Sequence, residues 1–116
     1  MPLIKVQTSL SSPAKADVES MLLNLSSKLA SHLSKPESYV MTAFEPDVAM
    51  TFAGTTEPVC YVEIKSIGTI GDRTKTMSND FCNEISSILG VSKDRIYIEF
   101  ADAKGTMWGW NGRTFG

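Results

Sequence analysis

The sequence has few of the residues that metal or redox sites need. Its 116 residues include one histidine, His32, and two cysteines, Cys60 and Cys82. No Cys-x-x-Cys pair occurs and no carboxylates cluster beside the histidine, so a zinc site is not predicted. His32 is expected to be structural, and the cysteines, on different predicted elements, to be packed, reduced thiols in the cytoplasm. We therefore expect no metal and no cofactor.

Motifs for nucleotide binding and for nucleophilic catalysis are absent as well. The sequence has no Gly-x-Ser-x-Gly and no phosphate-binding glycine loop, and "GTIGDR" (68–73) lacks the third glycine of a dinucleotide site. The net charge is −2 with scattered Lys and Arg, so no nucleic-acid partner is expected. "MPLIKV" turns polar before a signal peptide develops, and no apolar stretch suggests a membrane partner. Any chemistry must therefore use few groups.

The hydrophobic periodicity predicts strand, helix and strand in the first half of the chain, about residues 2–46. Alternation indicates strands, and apolar residues at helical spacing indicate the helix between them. The predicted elements are a strand at 2–8, a helix from Ser12 (N-cap) and Pro13 (first helical residue) to about Ser34, and a strand at 38–46.

The same order of elements is predicted for the second half, about residues 58–102. The predicted elements are a strand at 59–67, a helix whose apolar stripe runs over 77–89 and ends at Gly90, and a strand at 95–102, followed by a glycine- and aromatic-rich tail at 105–116 with strand potential at 107–110.

The two halves also share a short sequence pattern. "SKPESYV" (34–40) and "SKDRIYI" (92–98) align as S-K-x-x-x-Y-[VI]. We interpret the chain as one α/β domain, 1–116, in which two β-α-β repeats form a four-stranded sheet with both helices on one face. The other face would be bare, and an exposed apolar face implies closed association, as a dimer or a trimer.

Pro2 allows two interpretations. Removal of Met1 would leave Pro2 as a secondary amine, and burial or a nearby cation would lower the pKa of that amine until it could accept a proton at neutral pH. Alternatively, Pro2 begins an edge strand, where its missing N–H is harmless.

Motifs along the whole chain resemble the macrophage migration inhibitory factor family of the tautomerase superfamily. They are Pro2, "SKPESYV" (34–40), "AFEPD" (43–47), "FAGTTEP" (52–58), "SIGTIG" (66–71), "DRIYIEF" (94–100) and "GWNGRTFG" (109–116). The resemblance implies a homotrimer of β-α-β repeats around a central channel. It also implies a cofactor-free keto–enol tautomerase of phenylpyruvate-like and dopachrome-like substrates, found in the cytoplasm and exported without a signal peptide.

The resemblance assigns roles to individual residues. Pro2 would be the catalytic base, Lys35 would bind the substrate's oxygen or carboxylate, and Tyr97 of a neighbouring subunit would contact the substrate. Ile67 would form an apolar wall and a backbone contact. The aromatic surroundings would come from Tyr39, Trp110 and Phe115, and Trp108 would lie at the pocket edge.

Four of these residues also have a structural interpretation. Lys35 could be a cation at a helix C-terminus, and Tyr97 a half-buried strand aromatic. Trp108 and Trp110 could cover a sheet edge or a subunit seam.

The sequence departs from the family pattern at several positions. Glu99 replaces the usual asparagine two residues after Tyr97, so a carboxylate near the site would raise the pKa of the amine and repel anionic substrates. Trp108 replaces a smaller residue and would narrow the mouth of the pocket.

Two further motifs of the family's animal members are incomplete in this sequence. Of their Cys-x-x-Cys thiol motif only Cys60 remains, one position away. The arginine with which they contact a protein receptor aligns with Ser12, so a receptor partner is in doubt, although the partner aspartate is kept as Asp47. The alternative function is therefore an interaction protein with a vestigial pocket.

Overall fold

A computed structural model describes all 116 residues of the chain, Met1–Gly116. Neither α-helix combines the length and the apolar character that crossing a membrane would require. The elements, apart from short 3-10 turns, are β1 (Leu3–Thr8), α1 (Lys15–Leu33), β2 (Met41–Glu45), β3 (Cys60–Ile67), α2 (Thr74–Leu89), β4 (Ile96–Ala103), β5 (Gly109–Trp110) and β6 (Arg113–Thr114).

The first four strands form one mixed sheet in the order β2-β1-β3-β4. β1 runs parallel to β2 and β3 runs parallel to β4, which are the two predicted β-α-β units. The units join through an antiparallel pairing of β1 with β3. The predicted α/β fold is thus confirmed. β1 is an inner strand, so the interpretation of Pro2 as the start of an edge strand is wrong.

Both helices pack on one face of the sheet, as predicted. Alternate strand residues point toward the helices, in keeping with the period of two in a β-strand, and their burial drives the packing at roughly 1.5–3 kcal/mol for each large side chain. The central members of this core are Ile4, Val6, Leu25, Leu29, Val62, Ile64, Met77, Phe81 and Ile85, all fully buried.

The other face of the sheet mixes charged side chains with apolar ones such as Leu3 and Met41, which corrects the expectation of an apolar bare face. Lys5 pairs with Glu45 at 3.4 Å, and Lys65 pairs with Glu63 at 3.6 Å. These side chains alternate with the core residues along the same strands, so water or a polar partner must cover them. Association through this face cannot rest on apolar burial alone.

The start of α1 also differs from the prediction. The helix begins at Lys15, and the N-cap is Ala14, whose ψ of 143° is extended. Pro13 therefore precedes the helix, and the Ser12 hydroxyl donates to Pro13 O rather than accepting from a helix N–H. The predicted helix ends are confirmed: Ser34 and Gly90 cap α1 and α2 in the left-handed conformation.

A polar cluster links α1 to α2 on the helical side. His32 Nε2 lies 2.6 Å from Asp80 Oδ2, and Lys28 Nζ lies 3.0 Å from Asp80 Oδ1. Burial alone would raise the pKa of the Asp80 carboxyl, but hydrogen bonds from His32 and Lys28 outweigh it and lower that pKa. The His32 ring also packs against Phe81, with centroids 5.4 Å apart. His32 thus has the structural contacts expected of it.

Candidate functional site

A cavity of about 260 Å³ opens where β1 and β2 begin. Eight of its 11 lining residues are hydrophobic, which suits an aryl or alkyl ligand. Five predicted site residues meet in it: Pro2, Tyr39, Trp108, Trp110 and Phe115. Its other lining residues are Met1, Leu3, Ser38, Val40, Met41 and Gly109.

Strand pairing positions Pro2 within this cavity. Pro2 is buried immediately before β1, and its carbonyl accepts a hydrogen bond of 3.0 Å from the Met41 backbone N–H. Parallel pairing of β1 with β2 carries residues 38–41 past the N-terminus. The sequence interpretation did not name Ser38, Val40 and Met41 as lining residues, although pairing the two predicted strands in parallel would have indicated them.

The C-terminal tail supplies the aromatic wall. Asn111 and Gly112, with φ of 52° and 76°, turn β5 back onto β6. Asn-Gly is a strong hairpin signal, which the prediction of a strand at 107–110 did not use. The Trp110 ring packs edge-on to Tyr39 at 5.7 Å and stacks on Phe115 at 5.8 Å.

Close backbone approach fixes the end of this wall. The Phe115 N–H donates to Gly105 O at 3.1 Å and to Trp108 O at 3.2 Å. A Cβ at Gly105 would lie 2.8 Å from Phe115 O, so only glycine fits there. The tail is therefore held in place by its own backbone, and its aromatic rings line the cavity.

Lys35 supplies positive charge at the N-terminus. It follows the left-handed cap Ser34, and its backbone N–H donates to Ala30 O at 3.0 Å. The pKa of the Met1 α-amine is lowered, first by burial and then by the charge of Lys35. An amine at this end of the chain is thus biased toward its neutral form.

Four predicted site residues do not line the cavity of the same chain: Lys35, which acts on the N-terminus through its charge, and Tyr97, Glu99 and Ile67. Tyr97 and Glu99 lie on the face of β4 turned away from the helices, where Tyr97 is 64% exposed and Glu99 accepts a 2.6 Å hydrogen bond from the Tyr61 hydroxyl. That hydrogen bond and then burial raise the pKa of Tyr61. Ile67 ends β3 one strand away from the N-terminus, since Leu3 of β1 pairs with Lys65. One chain therefore assembles only part of the predicted site.

The remaining reactive groups offer no second centre. No group of three or more His, Cys, Asp or Glu side chains is placed to hold a metal ion. The Cys60 thiol is buried, and burial raises its pKa. A thiol held in its neutral form is a poor nucleophile, so Cys60 acts as a packed side chain.

The family model described as "Macrophage migration inhibitory factor (MIF)" matches residues 1–116. The chain is 36% identical over 116 residues to macrophage migration inhibitory factor of Meriones unguiculatus, with 99% of each chain covered. It is 35% identical to the homologue of Trichinella spiralis, covering 99% of this chain and 100% of that one. Among solved structures, the homologue from Prochlorococcus marinus superposes with a TM-score of 0.94 and 53% identity, covering 98% of this chain and 99% of the other.

Proposed function

Since the chain belongs to the macrophage migration inhibitory factor family, we propose that it is a cofactor-free keto–enol tautomerase of phenylpyruvate-like substrates. The observation that carries this proposal is the apolar, aromatic cavity in which Pro2 is buried. Dopachrome-like substrates, which also carry a flat ring system and a carboxylate, are the second class we expect it to accept.

Pro2 acts as the general base once Met1 has been removed. While Met1 is present, the Pro2 nitrogen is part of a peptide bond and has no basic lone pair. After its removal, the secondary amine lies beside the same apolar walls and the same lysine that lower the pKa of the Met1 amine. In the ketone-forming direction the amine takes the enol proton and, as an ammonium, returns it to the α-carbon.

Lys35 and the aromatic wall contribute orientation and charge stabilisation. The ammonium of Lys35 stabilises the oxygen on which negative charge develops, or binds the substrate carboxylate. Trp110, Phe115 and Tyr39 accept the aryl ring. Trp108, also at the cavity, narrows the entrance and favours planar substrates.

We further propose that the site is completed in a homotrimer. Tyr97 is 64% exposed although Phe52 packs against its ring, and it lies outside the cavity of its own chain. Closed association allows it to enter a neighbour's cavity, with Glu99 on the same strand face. Ile67 closes the apolar wall near the N-terminus. A carboxylate at position 99 then weakens binding of anionic substrates.

The test is enol-to-ketone conversion of phenylpyruvate by protein shown by mass spectrometry to lack Met1. The matched control is Pro2→Gly, which keeps a free amine but loses the secondary, ring-constrained base. We expect kcat/KM to fall by about a hundredfold or more, the range for losing a general base. Protein that retains Met1 should be inactive. Equal activity of the two Met1-free proteins would contradict the role of Pro2, and an inactive trimer without Met1 would favour the interaction-protein function.

A further inference from the structure

The loop at residues 52–58 is held by one side chain. Arg95, just before β4, donates Nε to Pro58 O at 2.8 Å, Nη2 to Glu57 O at 2.9 Å and Nη1 to Phe52 O at 3.2 Å. The ion pairs of the structure do not include Arg95. The guanidinium fork is therefore used to hold three backbone carbonyls, a task for which its fixed planar geometry suits it.

The same guanidinium is connected to Tyr97 through one ring. The Arg95 Cζ lies 5.1 Å from the centroid of the Phe52 ring. Phe52 in turn meets Tyr97 edge to face, with centroids 4.9 Å apart and an interplanar angle of 86°. Edge-to-face packing fixes the plane of a phenol whose ring is otherwise largely exposed.

The turn that carries Phe52 has an unfavourable backbone. Phe52 and Thr55 exchange backbone hydrogen bonds of 3.1 and 3.0 Å around Ala53 and Gly54. Ala53 has a φ of 54°, a left-handed conformation that alanine rarely adopts. Such a turn persists where its surroundings over-determine it, and the contacts from Arg95 do so here.

We propose that Arg95 is a positioning residue for Tyr97. The proposal rests on the proposed function, in which Tyr97 enters the cavity of a neighbouring copy. Arg95 fixes the loop backbone and the Phe52 ring, and Phe52 fixes the direction of the phenol before a neighbour receives it. Binding and catalysis then need not order the phenol, which is the benefit of a preorganised contact.

A double-mutant cycle tests this chain of contacts. Arg95→Met and Phe52→Leu should each lower kcat/KM by about tenfold, because each frees the Tyr97 ring. Combining either change with Tyr97→Ala should cost no more than Tyr97→Ala alone. Phe52→Leu keeps the guanidinium-to-carbonyl bonds, so it serves where Arg95→Met fails to fold. Arg73→Met, an exposed arginine on the helical side, is the control.

A second readout does not depend on activity. The chain has three tyrosines, so 3-fluorotyrosine labelling gives three ¹⁹F resonances, and Tyr97→Phe identifies the one of interest. Arg95→Met and Phe52→Leu should each move that resonance, whereas Arg73→Met should leave it in place. Two outcomes would overturn the positioning role. One is a double variant whose loss of kcat/KM equals the product of the two single losses, and the other is a Tyr97 resonance that Arg95→Met leaves in place. An inactive parent protein would refute the proposed function, and the resonance would then decide the positioning role by itself.

Discussion

The cavity at the N-terminus and the aromatic cluster at Tyr97 are both held by specific contacts, but the first is buried and the second is exposed. Pro2 is buried among walls that its own chain supplies. Tyr97 is held by Phe52 and, through it, by Arg95, yet 64% of its surface is exposed. A side chain that is both held in place and exposed is available for contact with a partner. In the proposed function, one chain makes the half-site that contains Pro2 and its neighbour supplies the half that contains Tyr97.

The strongest test of this division mixes two inactive chains. Pro2→Gly chains keep Tyr97, and Tyr97→Ala chains keep Pro2. If the two halves come from different chains, trimers from equal co-expression should regain about a quarter of parental activity, the fraction of sites with an intact residue on each side.

For the control, the two variants are purified separately and then mixed under conditions in which subunits do not exchange. The activity of this mixture should equal the sum of the two low activities. Mass spectrometry must show that Met1 is absent from both chains. Activity of the co-expressed trimers no higher than that sum would place both halves of the site in one chain.

Within the half-site that contains Pro2, Lys35→Gln should have the next largest effect. Its positive charge disfavours protonated Pro2, so its removal raises the pKa of the amine. The acid limb of kcat/KM against pH should move to higher pH, and activity at neutral pH should fall by roughly a hundredfold with the lost enolate stabilisation. Lys15→Gln, an exposed lysine at the start of α1, is the control. An unshifted acid limb would mean that Lys35 does not act on Pro2.

The smallest effect on activity is expected from a change between the two helices, away from both the Pro2 cavity and Tyr97. Asp80→Asn removes the carboxylate that His32 and Lys28 contact. The cluster is partly exposed, so the free energy of unfolding should fall by about 1 kcal/mol with kcat/KM unchanged.

The pH dependence of Asp80 has a definite sign. The folded-state pKa of its carboxyl is lowered, so its stabilisation is present above about pH 4, the unfolded-state value. It is lost as the pH falls through the lower folded-state pKa. Urea unfolding from pH 3 to 7 measures this, and Glu19→Gln, an exposed carboxylate on α1, is the control. A difference between parent and variant that is as large at pH 3 as at pH 7 would exclude the carboxylate as its cause.

Much of the fold was predictable because its local signals agree. Alternation placed the strands that became β1 and β3 to within a residue, and glycine at position 90 marked the end of α2. The start of α1 was missed because Ser12-Pro13 satisfies the local rules for a helix start while Ala14 takes an extended ψ. Polar residues such as Lys5 and Glu63 could have shown that the open face is not apolar.

The site was predictable only where contacts are close to the chain termini. Resemblance named Pro2 and the aromatic residues that the structure brings into one cavity. It could not reveal the contact of Arg95 with Phe52, because a loop and a strand 43 residues apart must first be folded together. In the proposed function, the place of Tyr97 and Glu99 relative to a cavity depends on a second copy, which no periodicity within one chain encodes.

The meeting of Pro2 and Phe115 at one cavity has a practical consequence for handling the protein. A purification tag at the front would keep the nitrogen of Pro2, the proposed base, in an amide, and one joined after residue 116 would begin two residues beyond Phe115, a wall of the same cavity. Labels and surface attachments therefore belong on the exposed outer side of α1, for example at Lys15 or Glu19. Protein made with a tag at either end is a poor sample for judging activity.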